Sequence, residues 1–255
     1  MTPEPSTPLL LYADEWLVAV CKPPGLAVHR SPEMPAHEPA ALQWVRDHCG
    51  RYVYPVHRLD RGTSGVLVFA FTAPVARALG LQFEEGRVRK QYLALVRGWP
   101  PESGTLDHAL RRLDPAPPRD DRGRATQPQP AITHWRRLAR REEPVVLGPH
   151  PTSRYALVHV EPLTGRQHQI RRHFKHLGHP LIGDSTYGKG VHNRWWAAEL
   201  GLQRLWLHAH RLSLTHPGRS HELELVAPLG HDWQALFDRA GWSWDEPTMQ
   251  DALRG

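Results

Sequence analysis

The sequence predicts a single domain of class α+β built on a mixed sheet, and three observations carry that prediction. Short strand-like runs recur from about residue 9 to residue 226. Four helical stretches fall between and after them. The polar loops at 111–130 and 143–152 do not divide two self-sufficient apolar cores, and 255 residues with 40% hydrophobic side chains suffice for one sizeable core.

The elements follow in order. Residues 1–8 are Pro-rich and read as a flexible N-terminal tail. A short strand begins near Leu9, a turn falls at Asp14-Glu15, and a second apolar run from Trp16 to Val20 is broken by Lys22-Pro23-Pro24-Gly25. Residues 40–49 read as a short helix. Val66 to Phe69 is a continuous apolar run, typical of a strand covered on both faces. Pro74 suits the first turn of a helix reaching about Glu85, and Gln91 to Val96 reads as a strand. Residues 111–130, with five prolines and few apolar side chains, read as a long exposed loop. Strands resume at 131–138 and 155–161, where Ala156, Val158 and Val160 alternate with Tyr155, Leu157 and His159. A helix over about 166–177, a loop, strands near 205–214 and 221–226 and a last helix at 231–240 complete the domain, expected to span 9–242, with 243–255 as a C-terminal tail.

The net charge of +6 and the pI near 9.7 favour a polyanionic partner without identifying one. The two cysteines, Cys21 and Cys49, belong to no C-x-x-C pair, which argues against a zinc ribbon or a disulfide framework. No apolar run approaches the roughly 18 residues of a membrane span, and no signal-peptide pattern opens the chain, so a cytoplasmic location is expected.

The most informative segment is His57-Arg58-Leu59-Asp60-Arg61-Gly62-Thr63-Ser64-Gly65, a polar loop running into the apolar strand. It places Asp60 in a turn anchored to a rigid element, flanked by Arg58 and Arg61, whose approach would keep the carboxylate ionised. Two other readings compete: an Asp that caps a turn and pairs with surface arginines, and a local His57–Asp60–Ser64 triad. The triad fails on context, because Ser64 is not in a G-x-S-x-G elbow following a strand.

The pattern H-R-L-D-x-x-T-S-G resembles the signature motif of the RluA-type pseudouridine synthases. Lys22-Pro23-Pro24-Gly25-Leu26-Ala27-Val28 is similar to that family's K-P-x-G-x-x-V. Lys90-Gln91-Tyr92-Leu93-Ala94-Leu95-Val96-Arg97-Gly98 resembles its K-x-Y-x-A-x-V-x-G. Thr164-Gly165-Arg166-Gln167-His168-Gln169-Ile170-Arg171, with Gly178-His179-Pro180-Leu181-Ile182-Gly183-Asp184 and Tyr187-Gly188, resembles a third block, and Arg204-Leu205-Trp206-Leu207-His208-Ala209 a later one. The resemblance covers roughly residues 9–228 and implies a mostly antiparallel sheet flanked by helices and loops, with a central active-site cleft and no preceding S4-type domain. It implies Asp60, Tyr92 and Arg171 as catalytic residues and Arg58, His57, Arg166, Leu207 and Lys90 as substrate contacts. Arg58 is the residue associated with displacing the target base. Leu207 is favoured over Leu205 for packing against it, and Arg166 is expected to contact a phosphate.

Helical geometry adds its own statement. Ile170, Phe174 and Leu177 form one apolar stripe, and at about 100° per residue Arg171 falls at its edge and Arg172 further towards solvent. Gly178 is a suitable C-terminal stop. His168, His173, His176 and His179 invite a zinc reading, but no Cys partners them and no H-E-x-x-H is present, so no metal is expected. The isomerisation involves no redox change, so no cofactor is expected either. RNA is the expected partner, and 111–130 fits either a basic RNA-contacting flap or a plain solvated insertion. Segments such as Pro151-Thr152-Ser153-Arg154-Tyr155 and Gly201-Leu202-Gln203-Arg204-Leu205 look most like a tRNA-modifying branch acting on uridine 65, in the acceptor-stem/T-arm region. A ribosomal-RNA enzyme of the same family and a non-catalytic RNA-binding module on the same fold are the alternatives. A monomer with no obligate protein partner is expected.

Overall fold

The computed structural model describes residues 7–30, 34–35, 38–113 and 127–244. Strand β1 (Leu9–Ala13) turns at Asp14, whose carboxylate accepts the N–H groups of Trp16 and Leu17, into β2 (Leu17–Lys22). Helix α1 (Ala41–Cys49) and a short β3 (Tyr54–Pro55) lead to β4 (Ser64–Ala70). Helix α2 (Ala73–Glu84) is capped by the Thr72 hydroxyl, which accepts the Val75 N–H, and Pro74 stands in its first turn as expected. Then come β5 (Arg89–Arg97), β6 (Ser103–Asp107), β7 (Ile132–Glu143), β8 (Ser153–Pro162), α3 (Gln169–His176), α4 (Gly190–Leu200), β9 (Leu207–Thr215), β10 (Glu222–Val226) and α5 (His231–Ala240).

The strands form one sheet in the order β1-β2-β4-β9-β5-β8-β7-β6, with β10 on β9 and β3 on β4. The pairings are antiparallel except for β4 with β9, a short parallel seam of Ser64 on His208 and Gly65 on Ala209. That seam explains the glycine closing the Asp60 motif. Gly65 has φ +114°, and a Cβ there would sit 2.1 Å from the Ala209 carbonyl oxygen.

Strands β2 and β4 are buried on both faces, so they read as continuous apolar runs. From β2 and β4, Leu17, Ala19, Val66 and Val68 pack with Leu79 of α2, while Val18, Val20, Leu67 and Phe69 pack with Ala41 and Val45 of α1. The alternation in β8 sends Ala156, Val158 and Val160 to Ile170 and Phe174 of α3. It sends Tyr155 and Leu157 to Trp196 of α4 and Trp233, Leu236 and Phe237 of α5. Phe174, fully buried, contributes about 1.5–3 kcal/mol by its removal from water.

Four features depart from the sequence expectation. Helix α4 stands where a loop was expected, because only His192 and Trp196 of it are buried and the apolar period is correspondingly weak. Strands β3 and β6 are too short, or too exposed, to leave a pattern. Helix α3 starts at Gln169 rather than 166, because His168 is left-handed. The folded body also runs past 242, since Trp244 stacks on Phe237 with ring centroids 5.5 Å apart. Of the 111–130 loop, residues 114–126 lie outside the described residues. Its two ends are tied by a bridge between Leu110 and Gln129. The expected tails fall mostly outside the described residues as well.

Candidate active site

The Asp60 turn is built from below. The Thr63 N–H donates to the Asp60 carbonyl at 3.0 Å, closing the turn. Lys22, wholly buried, donates its ammonium to the carbonyls of Pro23, Leu26 and Arg61 at 2.9, 2.8 and 3.1 Å. Burial pushes its pKa down to about 7, and the nearby Arg204 pushes the same way. The Lys22-Pro23-Pro24-Gly25 turn is thereby clamped to the loop that carries Asp60.

The His57–Asp60–Ser64 triad does not form. The His57 Nε2 accepts the Val68 N–H at 3.1 Å, its ring stacks on Phe83, and burial lowers its pKa to about 3, so it is neutral. The Ser64 hydroxyl is buried behind the loop, 2.8 Å from His208 Nδ1 and accepting from Arg204 at 2.8 Å.

Asp60 instead meets Arg171. One carboxylate oxygen, Oδ2, accepts from Arg171 Nη1 at 2.9 Å across 111 residues of sequence. Arg171 is 8% exposed, and its Nε and Nη2 form a two-pronged pair with Asp184 at 2.8 and 2.9 Å. Burial works against its charge, but its hydrogen bonds to Asp184 and Asp60 outweigh burial and hold its pKa above the usual arginine range. Asp184 is fixed in turn by the N–H groups of Thr186 and Tyr187 at 2.9 and 3.0 Å. Burial opposes its charge, yet the Arg171 pair and those N–H groups hold its pKa below the usual carboxylate value. The Tyr187 ring lies 5.2 Å from the Arg171 guanidinium. Oδ1 of Asp60 accepts no hydrogen bond from a described residue, and His168 Nε2 lies 3.8 Å from it.

All eight residues singled out from the sequence line one cleft of about 920 Å³: His57, Arg58, Asp60, Lys90, Tyr92, Arg166, Arg171 and Leu207. Tyr92 keeps its phenol proton, because burial and then the Asp60 charge hold its pKa well above the usual value. Leu207 faces the cleft, whereas Leu205 is turned onto Gly62. Lys90 donates to the Thr164 carbonyl at 3.1 Å, and burial, helped by Arg166, lowers its pKa to about 8. Arg166 is tethered to the Pro130 carbonyl at 3.0 Å. Arg58 is exposed at the rim beside Arg111 and Arg112, and Arg172 donates to the Arg111 carbonyl at 2.9 Å.

The four histidines of the third block each have a local use. His173 bonds the Thr133 hydroxyl and the His108 carbonyl, His176 stacks on His108, His179 bonds the Arg97 carbonyl, and His168 meets Tyr187. Asp184, Tyr187 and His168 are the site residues that sequence reasoning left without a role. Asp184 had a signal, an acid directly after Gly183, where a Cβ would collide with the Arg204 carbonyl.

A nucleoside-sized cleft with one open carboxylate oxygen, a bracing guanidinium and an aromatic wall suits chemistry at a sugar–base bond. It lies largely within residues 16–176, which match the family model described as RNA pseudouridylate synthase. The chain belongs to that family and is a pseudouridine synthase. It is 45% identical over 242 residues to tRNA pseudouridine synthase C of Yersinia pestis, covering 94% of each chain. It is 44% identical over 243 residues to the protein of that name from Vibrio parahaemolyticus, covering 94% of this chain and 97% of the other. Among solved structures, Human RNA Pseudouridylate Synthase Domain Containing 1 superposes with a TM-score of 0.73 at 25% identity, over 100% of this chain and 98% of that one.

Proposed function

We propose that the chain converts one uridine of tRNA, uridine 65 in the acceptor-stem/T-arm region, to pseudouridine, with Asp60 as the acting carboxylate. The observation that carries this reading is the division of labour within Asp60: Oδ2 is held by Arg171 while Oδ1 faces the cleft without a hydrogen bond. The reaction breaks N1–C1′, turns the uracil, forms C5–C1′, removes the C5 proton and leaves a proton on N1. Nothing is oxidised and no group is added. Oδ1 is available for any of three first steps: attack at C1′, addition at C6 of the base, or removal of the C2′ proton. A second carboxylate, which glycosidases use to activate water, is not required, since the base itself is the incoming group.

Tyr92 offers its face to the extruded base and Leu207 an apolar contact beside it. Arg58 displaces the target base, and Arg111, Arg112, Lys90 and Arg166, which line the cleft, meet phosphates, so that affinity falls with salt. His57 contributes a neutral ring to the wall. The tRNA substrate is supported by the names of the curated relatives, and action as a cytoplasmic monomer belongs to the same reading. No helix among the described residues is long and apolar enough to cross a membrane.

The test is nucleotide-resolution mapping of pseudouridine in unmodified tRNA transcripts and ribosomal RNA fragments incubated with the enzyme. Conversion at uridine 65 of tRNA is expected. Asp60→Asn is expected to lower conversion by about 10⁴-fold or more while RNA binding stays within about threefold. Conversion confined to ribosomal RNA overturns the substrate, and turnover by the Asn variant overturns the role of Asp60.

A further inference from the structure

Asp60 is held less firmly than its burial suggests. Arg171 has its two-pronged contact with Asp184, and only Nη1 reaches Asp60. A single hydrogen bond leaves a carboxylate able to swing about that contact, whereas a two-pronged one fixes its plane. Something else has to fix the direction of Oδ1, and one residue faces it.

That residue is His168. It is one of two non-glycine residues with positive φ among those described, at 54°, a conformation uncommon for a side-chain-bearing residue, though histidine adopts it more readily than most. It occupies the N-cap position of α3 yet makes no side-chain capping bond, so its ring is not used to cap the helix. The ring lines the cleft instead. There Nδ1 lies 3.1 Å from the Tyr187 hydroxyl and Nε2 lies 3.8 Å from Asp60 Oδ1. Tyr187 is itself tied in, its N–H on Asp184 and its ring beside Arg171. Asp60, Arg171, Asp184, Tyr187 and His168 thus close a circuit. Its two ends are the two oxygens of Asp60.

The tautomer follows from the partner. The Asp60 carboxylate oxygen facing Nε2 favours the tautomer with the ring proton on that nitrogen, which leaves Nδ1 to accept from the Tyr187 hydroxyl. At 3.8 Å this N–H is beyond hydrogen-bond length. It orients Oδ1 by attraction without capping it. We propose that His168, keyed by Tyr187, is a positioning residue that holds the unpaired oxygen of Asp60 towards the nucleoside, and does so productively only while its ring is neutral. A protonated ring would pair with Oδ1 and withdraw it from the substrate.

The groups around the ring set where that happens. Burial disfavours the imidazolium most, Asp60 and Asp184 favour it, Arg171 and Arg172 oppose it, and the His168 pKa lies below the ordinary value. The ring is therefore neutral at neutral pH. Activity falls as the pH is lowered through that depressed value.

The inference rests on Asp60 being the acting carboxylate, and the experiment separates the two. Single-turnover and steady-state rates on a tRNA transcript are measured against pH for the wild type, His168→Phe, His168→Gln, Tyr187→Phe and Asp60→Asn. His168→Phe is expected to lower kcat about 10- to 100-fold with KM within about threefold, and to move the acid limb to lower pH. His168→Gln places a non-titrating amide donor near the site of Nε2. It is expected to recover most of kcat while still showing the shifted acid limb. Tyr187→Phe, which frees the ring, is expected to lower kcat about threefold to tenfold and retain the acid limb. A folded Phe variant with unchanged kcat and unchanged acid limb overturns the proposal. If thermal unfolding shows that the Phe variant is not folded, an unshifted acid limb in the Gln variant overturns it instead. Activity in Asp60→Asn removes the reading of Asp60 itself, whereas an inactive Asn variant beside an unaltered Phe variant removes only the role of His168.

Discussion

Arg171 and Arg204 are the two buried arginines among the described residues, 8% and 7% exposed, and they do opposite things. Arg204 spends its donors on the Asp232 carboxylate, the Ser64 hydroxyl and the Leu205 carbonyl, with its guanidinium 5.0 and 5.7 Å from the rings of Trp206 and Trp233. Burial lowers its pKa and Asp232 only partly restores it. It is a closed knot behind the β4–β9 seam. Arg171 has two carboxylates, and the second has an oxygen with no hydrogen-bond donor on it among the described residues. A buried guanidinium is therefore not in itself the mark of a site. The mark is an acid left with bonding capacity that faces a cleft.

The comparison can be broken at several points. The largest expected effect is on Arg171→Met, which strands two acids. It is expected to lower kcat at least about 10³-fold and stability by about 3–5 kcal/mol, read by denaturant unfolding. Arg204→Met is expected to lose similar stability, about 3–5 kcal/mol, while kcat per folded molecule stays within about tenfold. Equal losses of kcat in the two variants would erase the distinction drawn here. Asp184→Asn keeps the shape of the carboxylate but weakens the two-pronged pair, and a fall in kcat of about 10- to 100-fold is expected, the size typical of the outer partners that orient metal ligands. Tyr92→Phe retains the aromatic face and is expected to keep RNA affinity, whereas Tyr92→Ala loses about 1–3 kcal/mol of base stacking, measured by binding to the Asp60→Asn protein. The smallest effect concerns Lys90. Its pKa is depressed to about 8, so it is charged below that pH and loses its charge as the pH rises through it. RNA affinity is expected to fall modestly above about pH 8, and Lys90→Gln to flatten that change.

Much of the site was legible because its pieces are local. A polar turn between two glycines and an apolar strand pointed to Asp60. The stripe of Ile170 and Phe174 pointed to the phase of α3, and hence to Arg171 at its edge. Helix α4 was not legible, because burying little more than Trp196 and His192 leaves no strong period. His168 was legible only as a helical histidine or a candidate zinc ligand, because the partners that give it a place, Tyr187 and Asp60, come from other segments of the chain.

From the sequence alone came the class of the fold, the turn that presents Asp60 and the helix phase that puts Arg171 at the edge of the apolar stripe, while the choice of Arg171 as a site residue came from the family resemblance. Each depends on residues a few positions apart, and on periods of two or 3.6 that any stretch of chain displays. Tertiary structure alone decided how three donors of one guanidinium are divided between Asp60 and Asp184, and which oxygen remains open. That division depends on tenths of an ångström between segments joined only through the sheet, where the approach of β4 to β9 and the turn at Gly183 set the distances.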